Sequence, residues 1–580
     1  MKKIICVFLC AVLIFCSTAV SIHAEQESPS FEWDGHPIVF IQGYSGPILV
    51  RDRGLETEEE VWGINPKDLV KKLITNLFDI FSGLADYADG NPEPFVECFR
   101  EISAELIDDI SMKPDGTSKY NISSYPYYVE EASVKYINTE KDGKYLPMTE
   151  GEFIEDISKT VPEEQIFIFN TDWRRSQIDN SAHLDSFIDE VLEYTGSDKI
   201  DLYGMSHGGQ LAATYLYYYG TNGKVDNAVL NSPAIGGTSL VMELLGSDPV
   251  EFDICELLRF GCVMLHIELD LRWLGKLMPA EFLNSVLKTA FNEVLLPHAI
   301  YFGSVWDLMD RDSYNKLRDV YLDPVENANI LAKADKMHYE CLPNMAEGLQ
   351  RAKDAGVNIA ILSNYGTRLG TGAPIDSDFI INTENLSGAT TVPYGEHLPE
   401  GYAQLNTTCK DPTHNHIAPT QSLDASTCFL PENTWFNYGQ YHNQSWWDVY
   451  TRELLLELLL TDNIKDVHSN PRFPQFELAQ SPLDGVYACF KGEKSGFYSQ
   501  GSNTLLIKNI SGSTLEIESV TVNGKKVELP KKFIIKKNQA KELTVDTSVS
   551  GLLEIQIEYS RRGKVFSDPF TRTVFFSPEK

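Results

Sequence analysis

The sequence is poor in positive charge. It has 49 Lys and Arg residues against 83 Asp and Glu residues, which gives a formal net charge of −34 at pH 7. Nucleic acid phosphates and anionic membrane surfaces repel a chain of this charge. Beyond the N-terminus, no stretch is long and apolar enough to span a bilayer. Because of the net negative charge, we exclude nucleic acid as a partner.

Cysteine motifs of the metal-binding kind are also absent. No Cys-x-x-Cys occurs, so a thiolate zinc site has no support, and we expect neither a metal nor a cofactor. Three of the 10 cysteines lie within the first 24 residues. The other seven are an odd number, so they cannot all form disulfides within one chain. The pairs closest in sequence, Cys409 with Cys428 and Cys255 with Cys262, are either disulfides or buried thiols.

The N-terminus has the three parts of a secretory signal. Lys2 and Lys3 precede an apolar run, and small residues then lead to Ala24. This pattern predicts export with removal of residues 1–24, which would make the mature protein secreted or otherwise extracytoplasmic, including attached to the cell envelope. The alternative is an uncleaved anchor helix formed by the same run.

Short apolar runs alternate with helical patterns between residues 31 and 237. The predicted strands of this part lie at 37–43, 164–170, 199–204 and 225–234. Two further predicted strands, at 357–366 and 433–438, place the second part of the same core at 351–470. Alternating strands and helices predict an α/β core with a mostly parallel sheet and crossover helices.

Two insertions interrupt this core. The first, 51–160, includes amphipathic stretches at about 66–87 and 94–110. The second, 238–350, is rich in Leu, Met and Phe and predicts a helical cap, because it follows a strand at the sheet edge where sites form. The alternative for this segment is a helical subdomain packed on its own core.

The pattern of apolar and polar residues changes in the last hundred residues. Segment 480–580 contains short alternating strands, and Asn523-Gly524 is a strong hairpin turn. This segment therefore predicts a separate all-β sandwich domain.

Residues 204–208, Gly-Met-Ser-His-Gly, have the form G-x-S-x-G. A predicted strand leads into the motif and a predicted helix follows it. Gly204 and Gly208 allow a sharp strand-to-helix turn that lifts the hydroxyl of Ser206 above the sheet. Ser206 is therefore a predicted nucleophile, and the alternative is a serine in an ordinary turn.

A serine nucleophile needs a histidine base and an acid that orients it, expected in the order Ser, acid, His. His442 lies in a short loop after the last predicted strand and is the predicted base. The acid is predicted to be Asp378, with Asp376 and Glu384 as alternatives in the same loop. The remaining histidines of this region are His397, His468 and the loop pair His414 and His416, for which metal binding has only weak support.

The oxyanion formed during ester cleavage requires backbone N–H donors. His207 follows the nucleophile directly and is predicted to supply one N–H, so its side chain is not expected to be the base. Gly43 permits a tight turn after the first strand, and Tyr44 is predicted to supply the second N–H.

Several segments resemble α/β-hydrolase lipases, and more narrowly the lecithin:cholesterol acyltransferase-like group. They are PIVFIQGYSGPIL, NTDWRRS, FIDEVLEYTGSDKIDLYGMSHGG, VDNAVLNSPAIGGTS and DSDFIINTENLSGATTV. The sequence departs from the usual pattern of the group at three places: Gln42 replaces a proline, Met205 and His207 are interchanged, and Phe379 replaces the glycine after the acid. The resemblance covers about 250 residues and does not extend to the C-terminal domain.

The resemblance implies an α/β-hydrolase fold and an exported serine esterase or lipase. Its substrate would be a lipid-like acyl ester, met in transient contact with a lipid interface and entering under the apolar cap. Asp172, Trp173 and Arg174 would support the site rather than react. One alternative is an O-acyltransferase with the same triad. The other is an inactive hydrolase fold used for surface attachment, with a C-terminal domain whose partner is unknown.

Overall fold

The computed structural model describes most of the chain from residue 32 to residue 574. The described ranges are 32–62, 82–83, 86–87, 89–147, 150–245, 279–406, 408–442, 444–478, 485–491, 501–509, 511, 513–537, 539–546, 551–561 and 563–574. The predicted signal at 1–24, most of the amphipathic stretch at 66–87, and the pair Cys255 and Cys262 lie outside them. Within these ranges, no helix combines the length and apolar character that crossing a membrane requires.

Strands are numbered in chain order. They are β1 Ile38–Ile41, β2 Ile48–Arg51, β3 Glu59–Trp62, β4 Ile122–Tyr125, β5 Ile166–Phe169, β6 Ile200–Met205, β7 Val225–Asn231, β8 Asn358–Tyr365, β9 Thr367–Arg368, β10 Asp376–Ser377, β11 Thr390–Thr391, β12 Leu423–Asp424, β13 Thr434–Tyr438, β14 Phe476–Leu478, β15 Val486–Phe490, β16 Ser502–Asn509, β17 Leu515–Val522, β18 Lys525–Lys526, β19 Ile534–Ile535, β20 Ala540–Asp546, β21 Gly551–Arg561 and β22 Lys564–Val574.

The α-helices are numbered in the same way. They are α1 Glu93–Asp109, α2 Val134–Lys141, α3 Gly151–Ser158, α4 Gln177–Thr195, α5 His207–Tyr219, α6 Ser239–Leu245, α7 Ala280–Ala290, α8 Leu296–Ala299, α9 Gly303–Asp307, α10 Arg311–Tyr321, α11 Ala328–Lys336, α12 Met345–Asp354, α13 Thr383–Ser387 and α14 Val449–Leu460.

A seven-stranded parallel sheet forms the centre of the molecule. Its strand order is β14-β13-β8-β7-β6-β1-β5, and every neighbouring pair is parallel. Strands β1, β5 and β6 are buried along their whole length because helices cover both faces of the sheet, which explains the unbroken apolar sequences of β1 and β5. The predicted α/β class and parallel sheet are confirmed.

The edge strand β14 was not predicted from the sequence. It consists of only three residues, Phe-Glu-Leu, and pairs with β13. So short a run carries no periodicity of its own. The parallel sheet therefore extends past residue 470, where we expected the core to end.

Local sequence signals set the ends of the flanking helices. Ser176 caps α4 by accepting the N–H of Ile178, and Gly196 ends that helix in the left-handed conformation, at φ 72°. For α14, the sequence of residues 445–460 predicts a helix with Ser445 as its N-cap, and this cap is wrong. Asp448 accepts the N–H groups of Tyr450 and Thr451, because a 3-10 turn occupies 445–447.

The two insertions add structure around the sheet, and helices α2 and α3 of the first insertion pack directly on it. In the first, β3, β2 and β4 make a small antiparallel sheet, and α1 confirms the helix expected at 94–110. The second is helical wherever it is described, from α6 to α12. A cluster that includes Trp306, Met309 and Tyr314 gives this segment a core of its own. Its residues 246–278, the most apolar part, lie outside the described residues.

The C-terminal strands form two antiparallel sheets. One contains β15, β16 and β20, and the other contains β17, β18, β19, β21 and β22. Both contribute to a single apolar cluster. Asn523 and Gly524 have φ values of 49° and 72° between β17 and β18, which confirms the predicted hairpin turn.

Candidate active site

Four segments bring the predicted catalytic residues to one edge of the parallel sheet. Ser206 follows β6, Tyr44 comes after β1, and His442 lies in the loop after β13. Asp378 lies in the excursion that follows β8, directly after β10. Because all these strands of the central sheet run in the same direction, their carboxyl ends meet at the same edge.

Ser206 lies in a strained turn between β6 and α5. Its φ of 57° and ψ of −122° are unusual for a residue with a side chain, and strain of this kind costs about 1–3 kcal/mol. The backbone N–H of Ser206 donates to the carbonyl of Asn231 at 3.1 Å, which ties the turn to the end of β7. The turn leaves the serine side chain partly exposed while its neighbours on both sides are buried.

Glycines allow this turn to pack tightly against the first strand. A Cβ on Gly208 would lie 2.4 Å from the carbonyl oxygen of Ile41 and 2.5 Å from that of Gln42. A Cβ on Gly204 would lie 2.6 Å from the carbonyl oxygen of Gly208. Both motif glycines are therefore required by close backbone approach, as expected from the motif.

A hydrogen-bonded chain links Ser206, His442 and Asp378. The Nε2 atom of His442 lies 2.9 Å from Oγ of Ser206, and its Nδ1 lies 2.5 Å from Oδ2 of Asp378. Asp378 is fully buried, and the side chain of His442 is 5% exposed. The backbone N–H of His442 also donates to the carbonyl of Asp378 at 2.7 Å, so the two loops hold each other directly.

The second oxygen of Asp378 is held by its own loop. Oδ1 accepts the backbone N–H of Ile380 at 3.0 Å and that of Ile381 at 2.7 Å. Phe379, which replaces the usual glycine of the resembled group, has a φ of 83°. The chain therefore adopts a glycine-like conformation there with a phenylalanine in place.

The alternative acids have other partners. Asp376 accepts the hydroxyl of Thr383 at 2.6 Å and the N–H of Gly366 at 3.2 Å, and burial raises its pKa to about 6. Glu384 lies on α13, where burial, together with nearby Asp310 and Asp312, raises the pKa of its carboxyl group. Of the three candidates, Asp378 is the one that contacts His442.

The sequence was also compared with known proteins. No protein-family model and no curated protein matches it.

The expected oxyanion residues lie beside the nucleophile. His207 is the first residue of α5, so its backbone N–H has no acceptor within the helix. A Cβ on Gly43 would lie 3.6 Å from Cβ of Ser206, which places this turn next to the serine side chain. The ring of Tyr44 packs edge-on against the ring of His207, with 5.2 Å between centroids. Both predicted donors thus belong to segments that contact each other at Ser206.

The side chain of His207 is unsuited to proton transfer. It is 3% exposed, and its Nε2 has no hydrogen-bond partner among the described residues. Burial lowers the pKa of this imidazole to about 3, so it stays neutral at ordinary pH. Its ring instead supports the Tyr44 loop.

Asp172, Trp173 and Arg174 form a brace around the oxyanion loop. The guanidinium group of Arg174 is fully buried and donates to Asp172 at 2.8 and 2.6 Å and to the carbonyl of Ile110 at 2.7 Å. The indole ring of Trp173 lies 5.0 Å from the ring of Tyr44. These contacts hold the loop that carries Tyr44, and none of them reaches Ser206.

Two supporting residues were not predicted from the sequence. Asn364, near the end of β8, donates to the carbonyl of Tyr441 at 3.1 Å and so holds the loop that carries His442. Gln177 donates to the carbonyl of His207 at 3.0 Å, which connects the start of α4 to the nucleophile turn. The available signal for Asn364 was a polar side chain near the end of a strand whose centre is apolar.

Proposed function

We propose that the protein is a serine hydrolase with an α/β-hydrolase core, and that it cleaves carboxylic esters of lipid type through an acyl-enzyme on Ser206. The hydrogen-bonded chain from Ser206 through His442 to Asp378 carries this proposal. The strained turn at Ser206, at the carboxyl edge of a parallel sheet, supports it further.

In the acylation step, Oγ of Ser206 attacks the ester carbonyl carbon while Nε2 of His442 takes the hydroxyl proton. Asp378 accepts from Nδ1, keeps the imidazole in the required tautomer, and stabilises the imidazolium that forms. The N–H groups of His207 and Tyr44 would stabilise the tetrahedral oxyanion. The imidazolium then returns its proton to the departing alcohol as the carbon–oxygen bond of the ester breaks.

In the second step, water enters the site and His442 takes one of its protons. The hydroxide attacks the acyl carbon, the bond to Oγ breaks, and the proton passes back to Ser206. An alcohol bound in place of water would receive the acyl group by the same steps, which is the acyltransferase alternative.

A buried apolar cluster lies next to the Tyr44 loop and supports the proposal of an apolar acyl group. Trp173 packs against Trp62 and Phe302, with ring centroids 5.1 and 5.7 Å away, and these residues belong to a cluster that also contains Leu49. Phe302 belongs to the helical insertion, so the cap reaches this cluster.

We further propose that the chain is exported and acts outside the cytoplasm, which rests on the signal-like pattern of residues 1–24. An extracellular ester would reach the site through transient contact with a lipid interface.

Covalent labelling tests the proposed function directly. A fluorophosphonate probe should label the wild-type chain, and peptide mapping should locate the adduct at Ser206. Ser206→Ala should abolish both labelling and the hydrolysis of a panel of p-nitrophenyl esters. Ser186→Ala, at an exposed serine of α4, should change neither.

Equal labelling of the wild type and Ser206→Ala would refute the proposal. The same would follow if the wild type hydrolysed every ester in the panel as slowly as Ser206→Ala does. Product analysis with a long-chain alcohol present would separate hydrolysis from acyl transfer, because transfer gives a new ester.

A further inference from the structure

A second cluster of reactive side chains lies away from the triad. Sγ of Cys409 lies 3.2 Å from Nε2 of His468 and 3.9 Å from Nδ1 of His414. Cys409, His414 and His416 each offer one donor atom within 4.8 Å of the others, and Cys409, Glu432 and His468 do the same. The thiol is common to both groups, so four other potential ligands surround it.

Three chain segments that are distant in sequence converge here. Cys409, His414 and His416 belong to the long loop between β11 and β12, Glu432 immediately precedes β13, and His468 follows α14. Backbone contacts tie these segments together, because the N–H of Val467 donates to the carbonyl of Glu432 at 2.8 Å.

We infer that Cys409, His414, His416 and His468 bind one Zn²⁺ ion. Tetrahedral zinc with bonds of 2.0–2.3 Å places a sulfur and a nitrogen ligand roughly 3.5 Å apart. The two observed sulfur–nitrogen distances, 3.2 and 3.9 Å, lie on either side of this value. Shifts of roughly 0.4 Å would bring both pairs to the separation that zinc requires.

The chemistry of the donors selects the metal. One thiolate and three imidazoles suit zinc, whereas calcium and magnesium require oxygen ligands. Binding of the cation displaces the proton of the Cys409 thiol into solvent, and the resulting thiolate forms the bond to the metal. With the carboxylate of Glu432 alongside, two negative charges offset the two positive charges of the ion.

His416 is oriented for this role by a neighbouring amide. Its Nδ1 lies 2.8 Å from Oε1 of Gln475, and an imidazole that donates from Nδ1 has its lone pair on Nε2. The side chain of Gln475 is fixed in turn, because its Nε2 donates to the carbonyls of Pro431 and Thr434 at 2.7 and 3.0 Å. His416 itself is 1% exposed.

The position in the sheet indicates a structural metal. Glu432 and Gln475 come immediately before β13 and β14, so the cluster lies at the amino ends of these strands. His442 follows the opposite end of β13. The ion would therefore join the long loop to the two edge strands and would not contact the reacting ester.

Metal content tests this inference without reference to catalysis, so its outcome is independent of the proposed hydrolase activity. Full-length wild-type protein, stripped with a chelator and then titrated with Zn²⁺, should bind one ion per chain by elemental analysis. Co²⁺ in its place should give thiolate-to-metal charge-transfer absorption. Cys409→Ser should lose that absorption, and His414→Asn should lower zinc affinity more than tenfold. His397→Asn, at an exposed histidine of the same loop, should retain both.

Stability provides a second readout. Chelation should lower the Tm of the wild type and leave that of Cys409→Ser unchanged. Should a ligand variant fail to fold, the titration of stripped wild type decides alone. Absence of stoichiometric zinc uptake by that protein, or a cobalt spectrum without a thiolate band, would overturn the inference.

Discussion

Asp378→Asn is the sharpest test of the proposed relay, because the substitution keeps the shape of the side chain. The carboxylate uses Oδ1 for the N–H groups of Ile380 and Ile381 and Oδ2 for Nδ1 of His442. In the variant, the amide oxygen would keep the two backbone donors, which leaves the amide NH₂ facing Nδ1. Nδ1 must then become an acceptor, so the proton of the neutral ring moves to Nε2.

An imidazole protonated at Nε2 cannot take the proton of Ser206. In serine proteases this change of tautomer lowers kcat about 10⁴-fold, or about 5.4 kcal/mol of transition-state stabilisation at 1.36 kcal/mol per decade. We expect a loss of this size in the hydrolysis of the best p-nitrophenyl ester, with KM nearly unchanged. The burst of acyl-enzyme formation should slow by the same factor.

Asp376→Asn is the matched control. Asp376 is also buried, and it lies two residues away, but it bonds to Thr383 and Gly366. Its variant should keep kcat within a few-fold of the wild type. If the two variants lost activity equally, or if Asp378→Asn lost less than tenfold, the assignment of Asp378 as the orienting acid would fail.

Three further predictions concern stability, each measured by chemical denaturation. Arg174→Ala should lower the free energy of unfolding by about 3–5 kcal/mol, because it leaves Asp172 without its buried partner. The side chain of Arg175 is 47% exposed, so Arg175→Ala should lower it by less than about 0.5 kcal/mol. Equal losses would contradict the structural role of Arg174. Gly208→Ala should cost at least about 1–3 kcal/mol, since its Cβ meets backbone at 2.4 Å, and an unchanged midpoint would contradict that packing. Burial raises the pKa of Asp307 to about 7, so between about pH 4 and pH 7 this carboxyl group keeps its proton in the folded state and loses it in the unfolded state. The stability of the wild type relative to Asp307→Asn should therefore fall by up to about 4 kcal/mol as the pH rises through this range. A stability difference that does not change with pH would refute this prediction.

The parallel sheet could be predicted because its signals are local. β1 and β5 are unbroken apolar runs, and Gly196 marks the end of the helix that precedes β6. β14 could not, because a strand of three residues owes its existence to pairing with β13 rather than to its own sequence. The α14 cap was misplaced for a related reason: Ser445 and Asp448 are both good caps, and the 3-10 turn between them decides which one is used.

For the candidate site, the sequence was sufficient to predict which loops contribute to it. Chain order and the carboxyl edge of the sheet were sufficient to select Ser206 and the loop of His442. Choosing between Asp376 and Asp378 required the backbone conformation, because side chains two positions apart in an extended chain point in the same direction. The positive φ of Phe379 turns the chain directly after Asp378 and directs the N–H groups of the next two residues back to its carboxylate.

The sequence offered only weak support for metal binding by His414 and His416, and it did not connect them with Cys409 and His468, because these ligands are joined by topology rather than spacing. A parallel strand followed by a helix returns the chain to the edge from which the strand began. β13 runs to the carboxyl edge and α14 runs back, so His468 must lie near the turn that precedes β13. A search for closely spaced cysteines cannot find such a site. A search for histidine and cysteine residues just before a parallel strand, and just after the helix that follows it, would have found it from the predicted elements.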